Sequence, residues 1–404
     1  MQSNPKKQPP KRPSCLNSPI DARHGAGILP AMKSLILLVA VVLGPCVLTA
    51  NAQTLTQTEI IEKAILKTLD KPTGVLTNED WEKVTSLHLS NNQLSSVGGL
   101  ERLTLLMHLD LHSNQLTDVM GLENLTQLKQ LKLNRNQLTN VRGLEKLAKL
   151  QFLDLAENQL ADLNTLGMLT QLQGVNLSGN KLIDAIGLGT LPQLQTLILA
   201  DNNMTNVNGL ESLEQLTHLD LHSNQLTDVN GLHAFKQLKG LNLNDNQLSN
   251  VNGLVALTKL TALDLAGNQL SNVSGLANLS QLTYLNLHSN QLTDVIGLEN
   301  LAQLNQLKLN SNKLTNVNGL RSLTKLTMLD LSRNQLSDVN ALGALTQLKG
   351  LNLSSNKLTD VKVLGMLTQL RVLHLKDNHD LTKAQIEILQ VTLPNCTIYS
   401  NPTK

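Results

Sequence analysis

Aromatic residues are nearly missing: two Phe, two Tyr and one Trp amount to 1% of 404 residues. Rings therefore cannot fill the interior, and the 41% hydrophobic fraction is almost wholly aliphatic. Cysteine is scarce too. Cys15 and Cys46 fall in a segment expected to be removed, so Cys396 is left without a partner for an intramolecular disulfide. Charge of one sign is lacking. The first 52 residues hold six of the 33 basic side chains and one of the 31 acidic ones, which leaves 27 against 30 beyond them. That slight acidity excludes the basic footprint of a nucleic-acid binder. Catalytic signatures are also missing: there is no phosphate-cradling Gly-x-x-x-x-Gly-Lys, no His-Glu-x-x-His, no Cys-x-x-Cys and no Gly-x-Ser-x-Gly.

A long apolar run is absent as well. Leu35–Leu43 is too short to span a bilayer. Preceded by Met32-Lys33 and followed by Ala50-Asn51-Ala52, it has the layout of a secretory signal peptide over 32–52, with Gln53 as the new N-terminus. Residues 1–31 are Pro-, Lys- and Ser-rich and are expected to be a disordered extension or a mis-assigned start.

What is abundant is asparagine at a fixed interval. Asn92, Asn114, Asn136, Asn158, Asn180, Asn202, Asn224, Asn246, Asn268, Asn290, Asn312, Asn334, Asn356 and Asn378 are evenly spaced, without a miss. A period in this range specifies a solenoid. Within the unit 106–127, Leu109 and Leu111 alternate with His108, Asp110 and His112, the period of a half-buried strand. Units entering one sheet in the same direction must pair in parallel. Asn114 follows where the chain turns inward, and its amide can bond backbone groups of adjacent turns. The ladder asparagines are thus structural. Leu116, Val119, Leu122, Leu125 and Leu128 follow, the last three spaced for a 3-10 turn. The position of Gly121 is glycine in ten of fourteen units, as a tight or left-handed turn would favour.

Leu-x-x-Leu-x-Leu-x-x-Asn-x-Leu, whose last Leu opens Leu-Thr-Asp-Val-x-Gly-Leu, resembles the 22-residue leucine-rich repeat of bacterial internalins and of a eukaryotic phosphatase regulator. The resemblance covers about three quarters of the chain. It implies an α/β class fold: a right-handed curved solenoid, with a parallel sheet on the concave face, short 3-10 or helical turns on the convex face, and partners bound on the concave side. Fourteen repeats are expected over 84–391, after a helical cap at 53–83 and before a tail at 392–404. Internalins typically add an immunoglobulin-like domain and a wall anchor; the tail is expected to hold neither.

The ends carry helix signals. Thr56-Gln57-Thr58-Glu59 and Thr77 to Asp80 are capping boxes, and Ile61, Ala64, Ile65 and Leu69 give one apolar face. Trp81 is expected to cover the first repeat. Thr382 to Gln385 opens another helix, and Cys396 and Ile398 alternate as a short strand would.

The outward strand positions are where the units differ. His108, Asp110, His112, Lys132, Phe152, Asp154, His218, Asp220, His222, Asp264, Tyr284, His288, Lys308 and Asp330 are the candidate partner contacts. Phe152 and Tyr284 are the aromatics found in these columns. Lys132 falls between Asp110 and Asp154, as cross-strand charge pairing would place it. His-Leu-Asp-Leu-His occurs twice; His218, Asp220 and His222 could share a divalent metal, but duplication of a repeat is enough by itself to produce the coincidence, and no metal is expected. The expected function is an exported, monomeric, non-enzymatic protein that binds another protein, with no cofactor, nucleic acid or transmembrane segment in the mature chain. The alternatives are an adhesin for a cell-wall or host glycan and, third, a metal site or metalloenzyme.

Overall fold

A computed structural model describes residues 55–71, 73–189 and 191–402. The expected extension 1–31 and signal segment 32–52 lie outside the described residues. Within the unit Thr54–Lys404, two helices, α1 (Gln57–Thr68) and α2 (Asn78–Lys83), precede the first strand, β1 (Ser86–His88). Short strands then recur once in every repeat up to β14 (Val372–His374). The chain ends with α3 (Lys383–Thr392) and β15 (Thr397–Tyr399).

The fifteen strands form one sheet in sequence order, each parallel to its neighbours. From β1 to β14 the register pairs each residue with its equivalent in the next repeat, as in Leu87 with Leu109 and Leu285 with Leu307. Outward residues therefore stand in straight columns. The sheet is the concave face of a curved solenoid, and short 3-10 turns make its convex face.

Most repeats send seven aliphatic side chains inward; Phe235 takes one such position, and the last repeat departs from the pattern. In the second unit Leu106, Leu109, Leu111, Leu116, Val119, Leu122 and Leu125 are all at most 2% exposed. No single unit can bury these residues alone, so the core is continuous through the stack.

The asparagine ladder lies between turns. Asn114 Nδ2 donates to the Leu111 carbonyl of its own unit and to the Leu89 carbonyl of the preceding one, both at 2.9 Å. Its Oδ1 accepts the Asn92 and Leu94 N–H groups, both at 3.0 Å. Equivalent contacts recur to Asn378, which bonds the Leu353 and Leu375 carbonyls and the Leu358 N–H. An apolar residue would leave those buried groups unpaired.

The residue just before each ladder asparagine adopts a left-handed backbone in every unit. Only Gly179 and Gly267 are glycine there; Arg135, Glu157 and Ser311 hold φ of 58°, 53° and 56°. The turn persists because its N–H reaches the next unit, as Arg135 N does to the Ala156 carbonyl at 2.8 Å.

The convex glycine column divides in two. Gly99, Gly121, Gly143, Gly187, Gly209 and Gly297 have positive φ. Five of these six precede Leu-Glu, and the glutamate carboxylate accepts the glycine N–H at 2.5–2.9 Å. Gly231, Gly253, Gly275 and Gly319 have no such glutamate, and their 3-10 turns begin at the residue before the glycine, two positions earlier than those after Gly121 and Gly143. Left-handed freedom is thus used in part of the column only.

At the N-terminal end, Thr56 and Glu59 form a reciprocal capping box, and α1 buries Ile61 and Ile65. Trp81 is 6% exposed, with the Arg102 guanidinium 4.5 Å from its ring centroid. Asp80, also buried, binds the Lys71 ammonium at 2.5 Å and the Thr77 N–H at 3.0 Å. Those bonds pull its carboxyl down to about 2. At the other end, Thr382 and Gln385 form a further box that opens α3.

Candidate partner-binding face

Three rows of outward side chains cover the concave face: the first and last residues of each strand and the residue two beyond. The ladder and the left-handed turn fix the backbone beneath them. The middle row is further tied down, because its Asp and Asn side chains accept the N–H two residues on. Asp154 does so from Ala156 and Asn176 from Ser178, both at 3.1 Å.

The two His-Asp-His strips do not gather their three groups. In the first, His112 Nδ1 lies 2.6 Å from Asp110 Oδ1, Lys132 Nζ 3.5 Å from Asp110 Oδ2 and His88 Nδ1 3.9 Å from it. In the second, His222 Nδ1 lies 2.7 Å from Asp220 and its Nε2 3.6 Å from Asp201, while His218 turns to the Thr217 hydroxyl at 3.0 Å. Among the described residues no three His, Cys, Asp or Glu side chains converge as a metal would need. His288 is held sideways by the Asn310 amide at 2.7 Å.

Lys132 pairs with one of its two acidic neighbours, and the two aspartates differ accordingly. Burial works to raise Asp110, but the His112 ring and backbone N–H and the Lys132 charge outweigh it and hold the carboxyl below its usual range. Asp154 has Ala156 where Asp110 has His112. Burial dominates there, against the Ala156 N–H and the Lys132 charge, and the carboxyl is pushed up. Asp264 receives the Asn286 amide at 2.9 Å, and Asp330 the Ser332 hydroxyl at 2.7 Å. Lys308 places its ammonium 5.8 Å from the Tyr284 ring centroid.

Beyond these residues, the face has relief that column reading missed. Three shallow depressions of about 380, 430 and 400 Å³ lie along its first and middle rows. Each has a first-row glycine in its floor: Gly174, Gly240 and Gly350. On the preceding strand stands a large side chain, Phe152, His218 or Met328, that leans over it. A Cβ on these glycines would come within 3.0, 2.9 and 2.7 Å of that neighbour. The signal was a large residue followed one repeat later by glycine. Also missed was Tyr399. It pairs with His374 in the middle row and stacks on its imidazole, centroids 4.7 Å apart. The face thus carries a third aromatic. It was hidden because α3 stretches the last interval, so that Val372 pairs with Thr397 and the strict period no longer points to the partner.

Comparisons with known proteins agree with this architecture. The family described as "Leucine Rich repeats (2 copies)" matches residues 192–232, 236–278 and 324–364, and the related "Leucine Rich repeat" matches 82–101. An internalin, InlF, from Listeria monocytogenes is 31% identical over 78% of this chain and 94% of its own, with a TM-score of 0.74. A leucine-rich-repeat protein of Leptospira interrogans is 28% identical over 80% of this chain and 97% of its own, with a TM-score of 0.67. The functional domain of InlJ from Listeria monocytogenes, which includes a cysteine ladder, shares the fold at 22% identity, covering 78% of this chain and 79% of its own, with a TM-score of 0.57. A search of curated protein sequences found no match. A long parallel sheet, an unbroken asparagine ladder and these matches agree: the chain belongs to the leucine-rich-repeat family, is structurally similar to bacterial internalin-type domains, and is a binding scaffold whose partner face is concave.

Proposed function

We propose that this is an exported protein whose concave face binds another protein. The observation that carries the proposal is the face itself: straight rows of fixed polar side chains broken by three depressions. Fifteen strands at about 4.8 Å make it roughly 70 Å long, a scale that suits a folded protein or an extended segment. The polar contacts are spread along it. Phe152, Tyr284 and Tyr399 are the least generic ones, with Lys132, Lys308 and the Asp110, Asp154, Asp220, Asp264 and Asp330 carboxylates around them.

The aromatics favour protein over glycan. Their strands stand six and then five apart, about 29 and 24 Å. Sugar sites built on stacking need rings close together. Export rests on the signal-like segment 32–52 and on the likeness to internalins. No helix among the described residues is long and apolar enough to cross a membrane.

A photo-crosslinking residue placed at Phe152 or Met328 in the native envelope, followed by mass spectrometry, tests the reading. Capture of one protein from these positions, and not from the convex Met120, is the expected result. Binding on a glycan array with no protein crosslink would replace it with the adhesin reading. The double variant F152A/Y284A should weaken the captured interaction about tenfold or more.

A further inference from the structure

The three depressions differ in charge. The first is lined by Lys132 and Asp154, and the third by Lys308, Lys349 and Asp330. The central one, between β6 (Thr196–Ile198) and β10 (Tyr284–Asn286), has Asp220 and Asp264 in its lining and no lysine or arginine. Its floor is Gly240 and Ala262, with His218 and Tyr284 as end walls. Asn242 stands between the two carboxylates in the middle row.

We propose that this central depression receives an arginine side chain of the protein partner, which deepens the concave-face proposal and rests on it. The carboxylates stand on strands two apart, about 10 Å between backbones. A planar guanidinium carries five donors in a fork and can address both carboxylates and the amide oxygen between them. A lysine ammonium concentrates its donors at one point. The apolar floor accepts the methylene stem, which buries well on small residues. Both carboxylates keep acceptor capacity. Asp220 Oδ1 takes the His222 ring and N–H, and Asp264 takes the Ala266 N–H and the Asn286 amide, one bond on each oxygen. Lys308 lies over the Tyr284 ring and does not line the slot.

The test is a titration of the full ¹⁵N-labelled chain with N-acetyl-arginine amide, N-acetyl-lysine amide and maltotriose. Arginine amide should shift the backbone amides of Gly240, Asn242, Ala262 and Asp264, and bind about fivefold tighter than lysine amide. D264N and D220N should each weaken it about fivefold while the rest of the spectrum shows an intact fold. Added salt should weaken it further. Equal shifts from lysine amide or maltotriose, no shifts, or unchanged affinity in both variants would overturn the assignment. The titration contains no partner, so its failure leaves the concave-face proposal standing. Partner crosslinks confined to the convex side, with arginine binding intact, would remove that proposal instead.

Discussion

Asn246 stands mid-ladder, and its replacement by alanine measures what the ladder contributes. Its Oδ1 accepts the Leu226 N–H at 3.0 Å, and its Nδ2 donates to the carbonyls of Leu221 at 3.0 Å and Leu243 at 3.2 Å. Both carbonyls keep a second asparagine donor, Asn224 at 3.1 Å and Asn268 at 3.0 Å. The Leu226 N–H keeps none of this kind. Leaving one buried N–H unpaired costs about 1–3 kcal/mol, and two half-lost carbonyl bonds add about 0.5–1 kcal/mol each. The expected loss is roughly 3 kcal/mol. Asn92 is the matched control. At the end of the ladder, its side chain donates to the Ser90 carbonyl at 2.9 Å and has no preceding repeat to bond. Asn92→Ala should cost under about 1 kcal/mol. Urea unfolding followed by far-UV circular dichroism reads the difference, and hydrogen exchange at the Leu226 amide reads the orphan directly. A repeat array can uncouple at a weakened junction, so two transitions in Asn246→Ala would also fit. Equal midpoints for the two variants, with Leu226 protection unchanged, would refute the ladder argument.

Three further outcomes are expected. Because burial raises the Asp154 carboxyl in the folded state, its contribution is fully present below the unfolded pKa and is lost as pH rises through the folded value; Asp154→Asn, which keeps the bond from Ala156, should be more stable than the parent at neutral pH and lose that advantage in acid, by thermal melts across pH. Asp80 has the opposite sign: its folded value of about 2 gives stability present above the unfolded pKa of about 3.9 and lost as pH falls between them, so the Trp81 fluorescence change marking loss of the N-terminal cap should move to higher pH in Asp80→Asn. Ser311→Gly should stabilise by about 0.5 kcal/mol, since it relieves a left-handed non-glycine costing about 1–2 kcal/mol and gives part of that back as chain entropy, checked by denaturant midpoint.

Much of the architecture was legible in the chain. The leucine spacing specified parallel strands, inward leucines and the ladder, because those depend on a period that every repeat restates. The three capping boxes were also legible, since an N-cap bond spans a few residues and needs no distant partner. Gly-Leu-Glu against Gly-Leu-x, being local as well, could have separated the two convex turns at every glycine of the column except Gly187.

The face was read as columns of letters, and there the sequence stopped. It placed Lys132 between two aspartates but not on which one it would settle; the ammonium lies at Asp110, which His112 also contacts, while Asp154 is half-buried beside Ala156. It placed His218, Asp220 and His222 on one strand, yet rotamers sent His218 to Thr217 and His222 to Asp220. Tyr399 entered the face through a helix that breaks the period, and the depressions arose from glycines beside large neighbours. By itself the sequence determined the backbone, the register and the core, because a repeated local pattern overdetermines them. Only the tertiary structure decided which side chains pair, where the surface is hollow and where an aromatic joins it. Those outcomes depend on contacts between neighbouring units of the stack, where side-chain size and hydrogen-bond competition choose among partners that the period leaves equivalent.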